Sequence, residues 1–283
     1  MSINTVAVLG AGTMGAGIAE TVALAGLSVV CIEQLHEQQE RAQQRIAGSV
    51  EKGINRGKVT ASSPAEVLDR ICWKASLDAA AAADFVIEAV SENETLKIDI
   101  FKRLGELCRP DVILASNTSS ISITRLGTVS GRAGQVVGMH FFNPVPIMKP
   151  VEVVRGVETT DATVAATESL SQRLGKTPVL VNDAPGFVVN RVLMPMINEA
   201  IFALESGVAD ARSIDQIMKL GCNQPMGPLE LGDLIGLDVC LAIMEVLHTQ
   251  LGDPKFRPCP MLRRMVDAGR LGRKTGRGFY EYG

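Results

Sequence analysis

Several features that would commit this chain to particular partners are missing. There is no basic excess: 28 Lys plus Arg stand against 31 Asp plus Glu, a formal charge of −3. That excludes a nucleic-acid partner, which requires a basic surface. No apolar run exceeds about ten residues, half the length a bilayer-spanning helix needs, so no membrane partner is expected. The opening MSINTVAVLGAG has no basic n-region and reads as a buried strand rather than a signal peptide. Six cysteines (31, 72, 108, 222, 240 and 259) are scattered, with no CxxC and no paired spacing. They offer no zinc-ligand pattern and suit a reducing compartment, so no metal and a cytoplasmic location are expected. Internal repeats and low-complexity tracts are also lacking, apart from Ala79–Ala83, a short alanine run that reads as helix.

What is present is a chain of 283 residues with 46% hydrophobic and 21% charged residues, the composition of a globular protein of two domains. Its first half alternates buried-strand runs (Thr5–Leu9, Leu27–Ile32, Asp84–Ala89, Val112–Ala115, Gln135–Met139) with amphipathic helical stretches (Met14–Ala25, His36–Ile54, Glu94–Cys108). Repeated βα units imply a parallel, Rossmann-type doubly wound sheet. Val151–Arg155 and Thr177–Val181, separated by a helix near Asp161–Leu174, should extend it. From Pro185 onward the periods are helical. The spacing thus predicts an α/β domain over 1–184 and an all-α domain over 185–283, parted at Asn182-Asp183-Ala184-Pro185-Gly186. Phe187, Met194, Ile197, Ile201 and Leu204 fall on one helical face, with an irregularity expected at Pro195.

The first strand runs directly into Gly10-Ala11-Gly12-Thr13-Met14-Gly15 and then a helix. Strand before and helix after give this G-x-G-x-x-G its meaning. Gly10 permits the tight turn, Gly12 lets backbone approach a pyrophosphate, and Gly15 allows helix and strand to pack closely. The helix N-terminus offers N–H groups to the phosphates. Glu33, closing the second strand, stands where a carboxylate meets ribose hydroxyls and repels a 2′-phosphate. NAD is therefore expected over NADP.

Hydride removal from a secondary alcohol needs a base, for which histidine is suited near neutral pH. Of three histidines, His36 lies on a polar helix face and His248 in a second-domain helix. His140 directly follows the strand Gln135–Met139, at the sheet end where such folds place ligands. Glu152 sits in an apolar strand, where a charge is costly unless paired; it either pairs with His140 or faces water from an edge strand. Ser116-Asn117-Thr118-Ser119-Ser120 follows another strand and serves either as a hydrogen-bonding loop or as a helix N-cap. Asn190 shares the apolar face of its helix and must find a polar partner, which a substrate carbonyl would supply.

Gly10–Gly15, Ser116–Ser120, Gly138-Met139-His140-Phe141-Phe142-Asn143-Pro144-Val145-Pro146, Pro185-Gly186-Phe187-Val188-Val189-Asn190-Arg191 and Gly272–Tyr280 together resemble the L-3-hydroxyacyl-CoA dehydrogenase family. The likeness runs end to end and is nearest to its short bacterial members, the 3-hydroxybutyryl-CoA dehydrogenases. It implies that His140 is the general base, Glu152 its carboxylate partner, Ser119 a hydrogen-bond donor to the substrate 3-oxygen and Asn190 a contact near the thioester. It further implies that Glu33 holds the adenine ribose, that Glu92, Lys97, Asn117, Ser119 and Asn143 surround the nicotinamide half, and that Lys274 lies near the cofactor. Ser49–Lys58 corresponds to an arm that leads coenzyme A into the cleft, with Ser49, Lys52, Arg56 and Lys58 as contacts. One departure is Gln224 in Asn223-Gln224-Pro225-Met226-Gly227-Pro228, where the short-chain members carry His; it bears on substrate preference.

The expected activity is NAD-dependent interconversion of (S)-3-hydroxyacyl-CoA and 3-oxoacyl-CoA. A dehydrogenase of a free hydroxy or sugar acid is the alternative, since related sequences share the His–Glu pair. A non-catalytic NAD-binding scaffold would have no need of Ser119, His140, Glu152 and Asn190 together. Apolar runs such as Ile235–Val246, taken with the resemblance, point to a homodimer through residues 185–283.

Overall fold

β1 (Thr5–Leu9) is fully buried from its second residue, and α1 (Thr13–Leu24) follows across the glycine turn. The computed structural model describes residues 3–283, which form two units, one ending at Asp183 and the other spanning Ala184–Gly283. In the first unit the chain continues through β2 (Ser28–Ile32), α2 (His36–Asn55), α3 (Pro64–Leu68), β3 (Ile71–Lys74), β4 (Phe85–Glu88), α4 (Glu94–Leu107), β5 (Ile113–Ser116), α5 (Ile123–Ser130), β6 (Val136–Phe141), β7 (Pro150–Arg155), α6 (Asp161–Arg173) and β8 (Thr177–Asn182). Polar side chains fix where several helices begin. Asn93, Ser122 and Thr160 accept N–H groups from the first turns of α4, α5 and α6.

One eight-stranded sheet, ordered β3-β2-β1-β4-β5-β6-β7-β8, carries this unit. Its first six strands are parallel, with the order reversing between β1 and β4, as in a doubly wound fold. The expected parallel extension is corrected at the next pair: β7 runs antiparallel to β6, and β8 then runs parallel to β7. Only Phe142–Lys149 joins β6 to β7, too short for the crossover that a parallel return requires.

Other boundaries move too. β6 extends through Phe141, so His140 lies inside a strand instead of after it, and Ser116 is the last residue of β5. The alanine run belongs to a 3₁₀ helix, Leu77–Ala82, held by Ser76. β3 escaped the sequence reading because its ICWK is a short, half-exposed edge strand with no apolar run.

The second unit contains α7 (Val189–Glu205), α8 (Ala211–Gly221), α9 (Pro228–Ile235), α10 (Leu237–Leu251) and α11 (Pro260–Asp267). Its core joins Met194, Ile197 and Ile201 of α7 to Leu229 of α9 and to Leu237, Met244 and Leu247 of α10. α7 is continuous through Pro195. Phe187 does not open its apolar face; it precedes the helix in a turn, buried, at φ +47°. The run Ile235–Val246 is largely consumed by this core, since Leu237, Cys240, Leu241 and Met244 are buried. Val239 is the exposed large apolar side chain within that run, and the most exposed ones of this unit are Val192, Val208, Ile217 and Leu220.

Two pairs of elements generate stability predictions. α4 and α5 meet at Gly105, where a Cβ would collide with the carbonyl oxygen of Ser130, whereas Gly48 inside α2 has open space around it. Gly105→Ala should therefore cost about 3 kcal/mol through overpacking, and Gly48→Ala should add about 0.5–1 kcal/mol through helix propensity. Thermal midpoints moving the same way in both variants would contradict this packing.

α1 meets α2 at Glu20, 3% exposed, whose carboxyl accepts a 2.7 Å hydrogen bond from Ser49 Oγ. Burial pushes this carboxyl up from 4.5 to about 7, against the opposing effects of the Ser49 bond and the Lys176 ammonium. Burial likewise lowers Lys176, with the help of nearby Lys149, to about 8. The folded chain thus keeps a proton on Glu20 that the unfolded chain releases between pH 4.5 and 7. Its contribution is intact below 4.5 and lost as pH rises through 7. Glu20→Gln should gain about 3 kcal/mol on the wild type between pH 4.5 and pH 8, from a shift of about 2.5 units. Urea unfolding of both proteins at several pH values reads the difference, and a pH-independent difference would refute the assignment.

Candidate active site

The glycine loop has the geometry that close approach of a dinucleotide demands. Gly10 sits at φ +88°, with its missing Cβ directed 2.8 Å from the Ala89 oxygen, and a Cβ on Gly15 would strike the Gly10 oxygen. Gly12, by contrast, has no atom within 4 Å of its would-be Cβ, and no side chain caps α1 there. The space over Gly12 is open, and the first N–H groups of α1, from Thr13 and Met14, border it. Glu33, half-buried just beyond β2, accepts from the Ala11 N–H through Oε2 and from the Leu35 N–H through Oε1, both at 3.1 Å. Backbone donors at a helix N-terminus beside a fixed carboxylate fit pyrophosphate and ribose in adjoining positions.

At the same end of the sheet, register brings His140 of β6 directly opposite Glu152 of β7. Residues paired this way in an antiparallel ladder project their side chains to the same face. His140 Nδ1 lies 2.7 Å from Glu152 Oε2, and the residues are 8% and 4% exposed. A carboxylate only accepts, so Nδ1 carries the hydrogen and Nε2 is left as the basic nitrogen. Phe142 stacks obliquely on the imidazole, with ring centroids 4.9 Å apart. His36 is exposed beside Glu40 on α2, and His248 lies near the end of α10.

The turn after β5 is held by acids rather than by a helix. The N-cap of α5 is Ser122, so Ser116–Ser120 are not its cap. Glu92 Oε1 accepts from the Ser119 N–H and Ser120 Oγ, each at 3.0 Å, and from Thr118 Oγ1. Asn117 Oδ1 takes the Phe141 N–H at 2.9 Å, tying this turn to the strand that carries His140. Lys97, only 1% exposed, places Nζ 3.2 Å from Glu92 and 2.6 Å from Glu88. Although burial favours the neutral acid, the Lys97 charge and the Thr118, Ser119 and Ser120 donors hold the Glu92 carboxyl below its usual range. Glu88 was not singled out in the sequence, and Ser116 and Thr118 were named only as members of the run Ser116–Ser120. The available signal was an acid ending the apolar strand Phe85-Val86-Ile87-Glu88, one residue short of leaving the sheet.

The remaining candidates are placed as follows. Asn143 is exposed beyond β6, at a cis bond to Pro144. Ser49 is turned onto Glu20, whereas Lys52, Arg56 and Lys58 are exposed and form no ion pair among the described residues. In the second unit Asn190 lies in the first turn of α7, 7% exposed. Lys274, in the 3₁₀ turn Arg273–Thr275, is bound by both oxygens of Asp238 at 2.5 and 2.6 Å. Gln224 donates to Met196 Sδ at 3.2 Å, and its Oε1 is buried without a hydrogen bond.

Comparison with known proteins gives a family match in each half of the chain. Residues 5–184 match the model of the 3-hydroxyacyl-CoA dehydrogenase NAD-binding domain, and residues 186–282 match that of the C-terminal domain. A probable 3-hydroxybutyryl-CoA dehydrogenase of Deinococcus radiodurans is 54% identical, over 97% of this chain and 99% of its own. The 3-hydroxybutyryl-CoA dehydrogenase of Bradyrhizobium diazoefficiens is 48% identical, over 99% and 96%. Among solved structures, the (S)-3-hydroxybutyryl-CoA dehydrogenase of Ralstonia eutropha superposes with a TM-score of 0.95 at 52% identity, covering both chains completely. With both halves matched in order and the relatives aligned end to end, this chain belongs to the 3-hydroxyacyl-CoA dehydrogenase family.

Proposed function

We propose that this protein is an NAD-dependent dehydrogenase that interconverts (S)-3-hydroxyacyl-CoA and 3-oxoacyl-CoA, with 3-hydroxybutyryl-CoA as its substrate. The observation that carries the chemistry is the buried His140–Glu152 pair at the ligand-binding end of the sheet. Bound NAD supplies the hydride acceptor. His140 takes the 3-hydroxyl proton on Nε2 as the carbonyl forms, and Glu152 stabilises the imidazolium through Nδ1–H. In reduction the same imidazolium returns the proton to the 3-oxygen. Ser119 and Asn190 hold the substrate oxygens, Ser119 from a turn fixed by Glu92.

The first unit is the cofactor domain in this reading. Gly10–Gly15 and Glu33 hold the adenosine and pyrophosphate portion, while Glu92, Lys97, Asn117, Ser119 and Asn143 surround the nicotinamide portion. The second unit contributes Asn190, Lys274 and the dimer contact. Lys52, Arg56 and Lys58 stand free on the surface after Ser49, as coenzyme A phosphates require. Exposed Ile217 and Leu220 of α8 supply apolar surface for a second copy of the chain. No helix among the described residues is long and apolar enough to cross a membrane, and a cytoplasmic location fits the unpaired cysteines.

The test is NADH oxidation with acetoacetyl-CoA, run beside free acetoacetate and beside NADPH. Turnover is expected only with the thioester and NADH; turnover of the free acid would transfer the assignment to a hydroxy-acid dehydrogenase. His140→Gln should lower kcat by about 10³-fold while NADH binding persists. Glu152→Gln should lower it less, because the base remains. Undiminished turnover by His140→Gln would remove that residue from the mechanism.

A further inference from the structure

Glu88 ends β4 with no exposed surface, and two of its side-chain hydrogen bonds lead to the turn that carries Ser119. Its Oε1 accepts from Lys97 Nζ at 2.6 Å and from the Val90 N–H at 2.8 Å. Its Oε2 accepts from Ser116 Oγ at 2.6 Å, and that hydroxyl in turn accepts from the Thr118 N–H at 3.2 Å. Lys97 then reaches Glu92, which binds Thr118, Ser119 and Ser120. One buried carboxylate therefore braces the turn by two routes, through Ser116 and through Lys97.

The charges in this brace do not cancel. Two carboxylates share a single ammonium, leaving one negative charge at the ends of β4 and β5. Arg125 and Glu94, on the adjoining segments, pair with each other at 2.7 Å and contribute no net charge. A purely mechanical support would be built at lower cost from apolar groups, because buried ions must recover their lost hydration. In a doubly wound sheet the dinucleotide lies across the reversal point between β1 and β4. With Glu33 at the β2 side of the glycine loop, the nicotinamide half falls on the side of β4 and β5. The oxidised ring carries a positive charge there that the reduced ring lacks.

We propose that the Glu88–Lys97–Glu92 triad selects the oxidation state of the coenzyme, its surplus negative charge favouring oxidised NAD over NADH, with Glu88 as the positioning residue that sets that charge. This rests on the cofactor half of the function proposed above and is independent of the acyl substrate. Neutralising Glu88 leaves Lys97 fully matched by Glu92, so the local charge falls to zero.

The experiment measures Kd for NAD⁺ by calorimetry and for NADH by fluorescence, with no acyl-CoA present. Glu88→Gln should raise the ratio Kd(NAD⁺)/Kd(NADH) by about tenfold, the size of one unit charge acting over about 12 Å at an effective dielectric constant of about 20. Glu88→Asp, which keeps the charge, should hold the ratio within about twofold of the wild type. Loss of affinity for both forms by the same factor would show a structural brace only and overturn the proposal. Should Glu88→Gln fail to fold, Glu92→Gln removes the same charge from a side chain 38% exposed, and an unchanged ratio there would overturn it equally. A wild type that shows the expected ratios but fails to reduce acetoacetyl-CoA would refute the substrate assignment alone.

Discussion

The reversal of strand direction after β6 is the constraint on which the chemistry depends. Six parallel strands bring their carboxyl ends to one edge of the sheet, and a seventh parallel strand would begin at the opposite edge. The short Phe142–Lys149 link instead folds β7 straight back along β6, so its opening residues return to the ligand edge. A side chain from the start of one strand and another from the end of its neighbour then become direct partners. His140 and Glu152, twelve positions apart in sequence, are the pair so formed. The pair needs no flexible loop to assemble, and strands buried on both faces limit how far either group can drift. Asn117 extends the same rigidity sideways by binding the β6 backbone at Phe141.

This edge also concentrates buried charge, in two forms with different logic. In the His140–Glu152 pair the acid takes the Nδ1–H and so fixes the orientation of the imidazole. In the Glu88–Lys97–Glu92 group the ammonium is enclosed between two acids and stays fixed. A buried ion pair adds little net stability compared with apolar packing of the same volume. Two such groups at one end of one sheet, where ligands bind, are more readily understood as preorganised charge than as contributions to folding. Glu20, buried among helices with a raised pKa, illustrates the cost that an acid incurs where such partners are fewer.

The parts of the fold that were legible in sequence are those where local and global demands coincide. Gly10–Gly15 lies between β1 and α1 as its spacing implies, since each glycine answers a steric demand that no other residue meets. The alternation of apolar strands and amphipathic helices gave the layer order and the change to helices near Pro185. Strand direction was not legible at β7, because an apolar run looks the same read either way; only the length of the preceding link carried that information. His140 looked like a post-strand residue because the apolar run was ended at Met139, although the strand continues through the polar His140 to Phe141. Phe187 looked like the start of a helical face because its spacing fits one, although its backbone is left-handed. Glu88 was overlooked because a terminal acid on a buried strand is indistinguishable, without its partners, from an ordinary strand end.

The C-terminal Gly272–Tyr282 segment shows how packing alone can demand particular residues in a motif. A Cβ on either Gly272 or Gly278 would collide with Asp233, the first with its backbone and the second with its carboxyl. Asp233 is 1% exposed and accepts the N–H groups of Phe279 and Tyr280 and the hydroxyl of Tyr282, all at 3.0 Å. Asp215 repeats the device, taking the Tyr280 hydroxyl at 2.6 Å together with the first N–H groups of α9. The glycines are therefore required by acids that clasp the tail onto α9. Lys274 occupies the turn between those fixed points, and Asp238 of α10 binds its ammonium. Placement of that lysine is thus inherited from the glycines and aspartates that hold the tail, just as placement of Ser119 is inherited from Glu92 and Glu88.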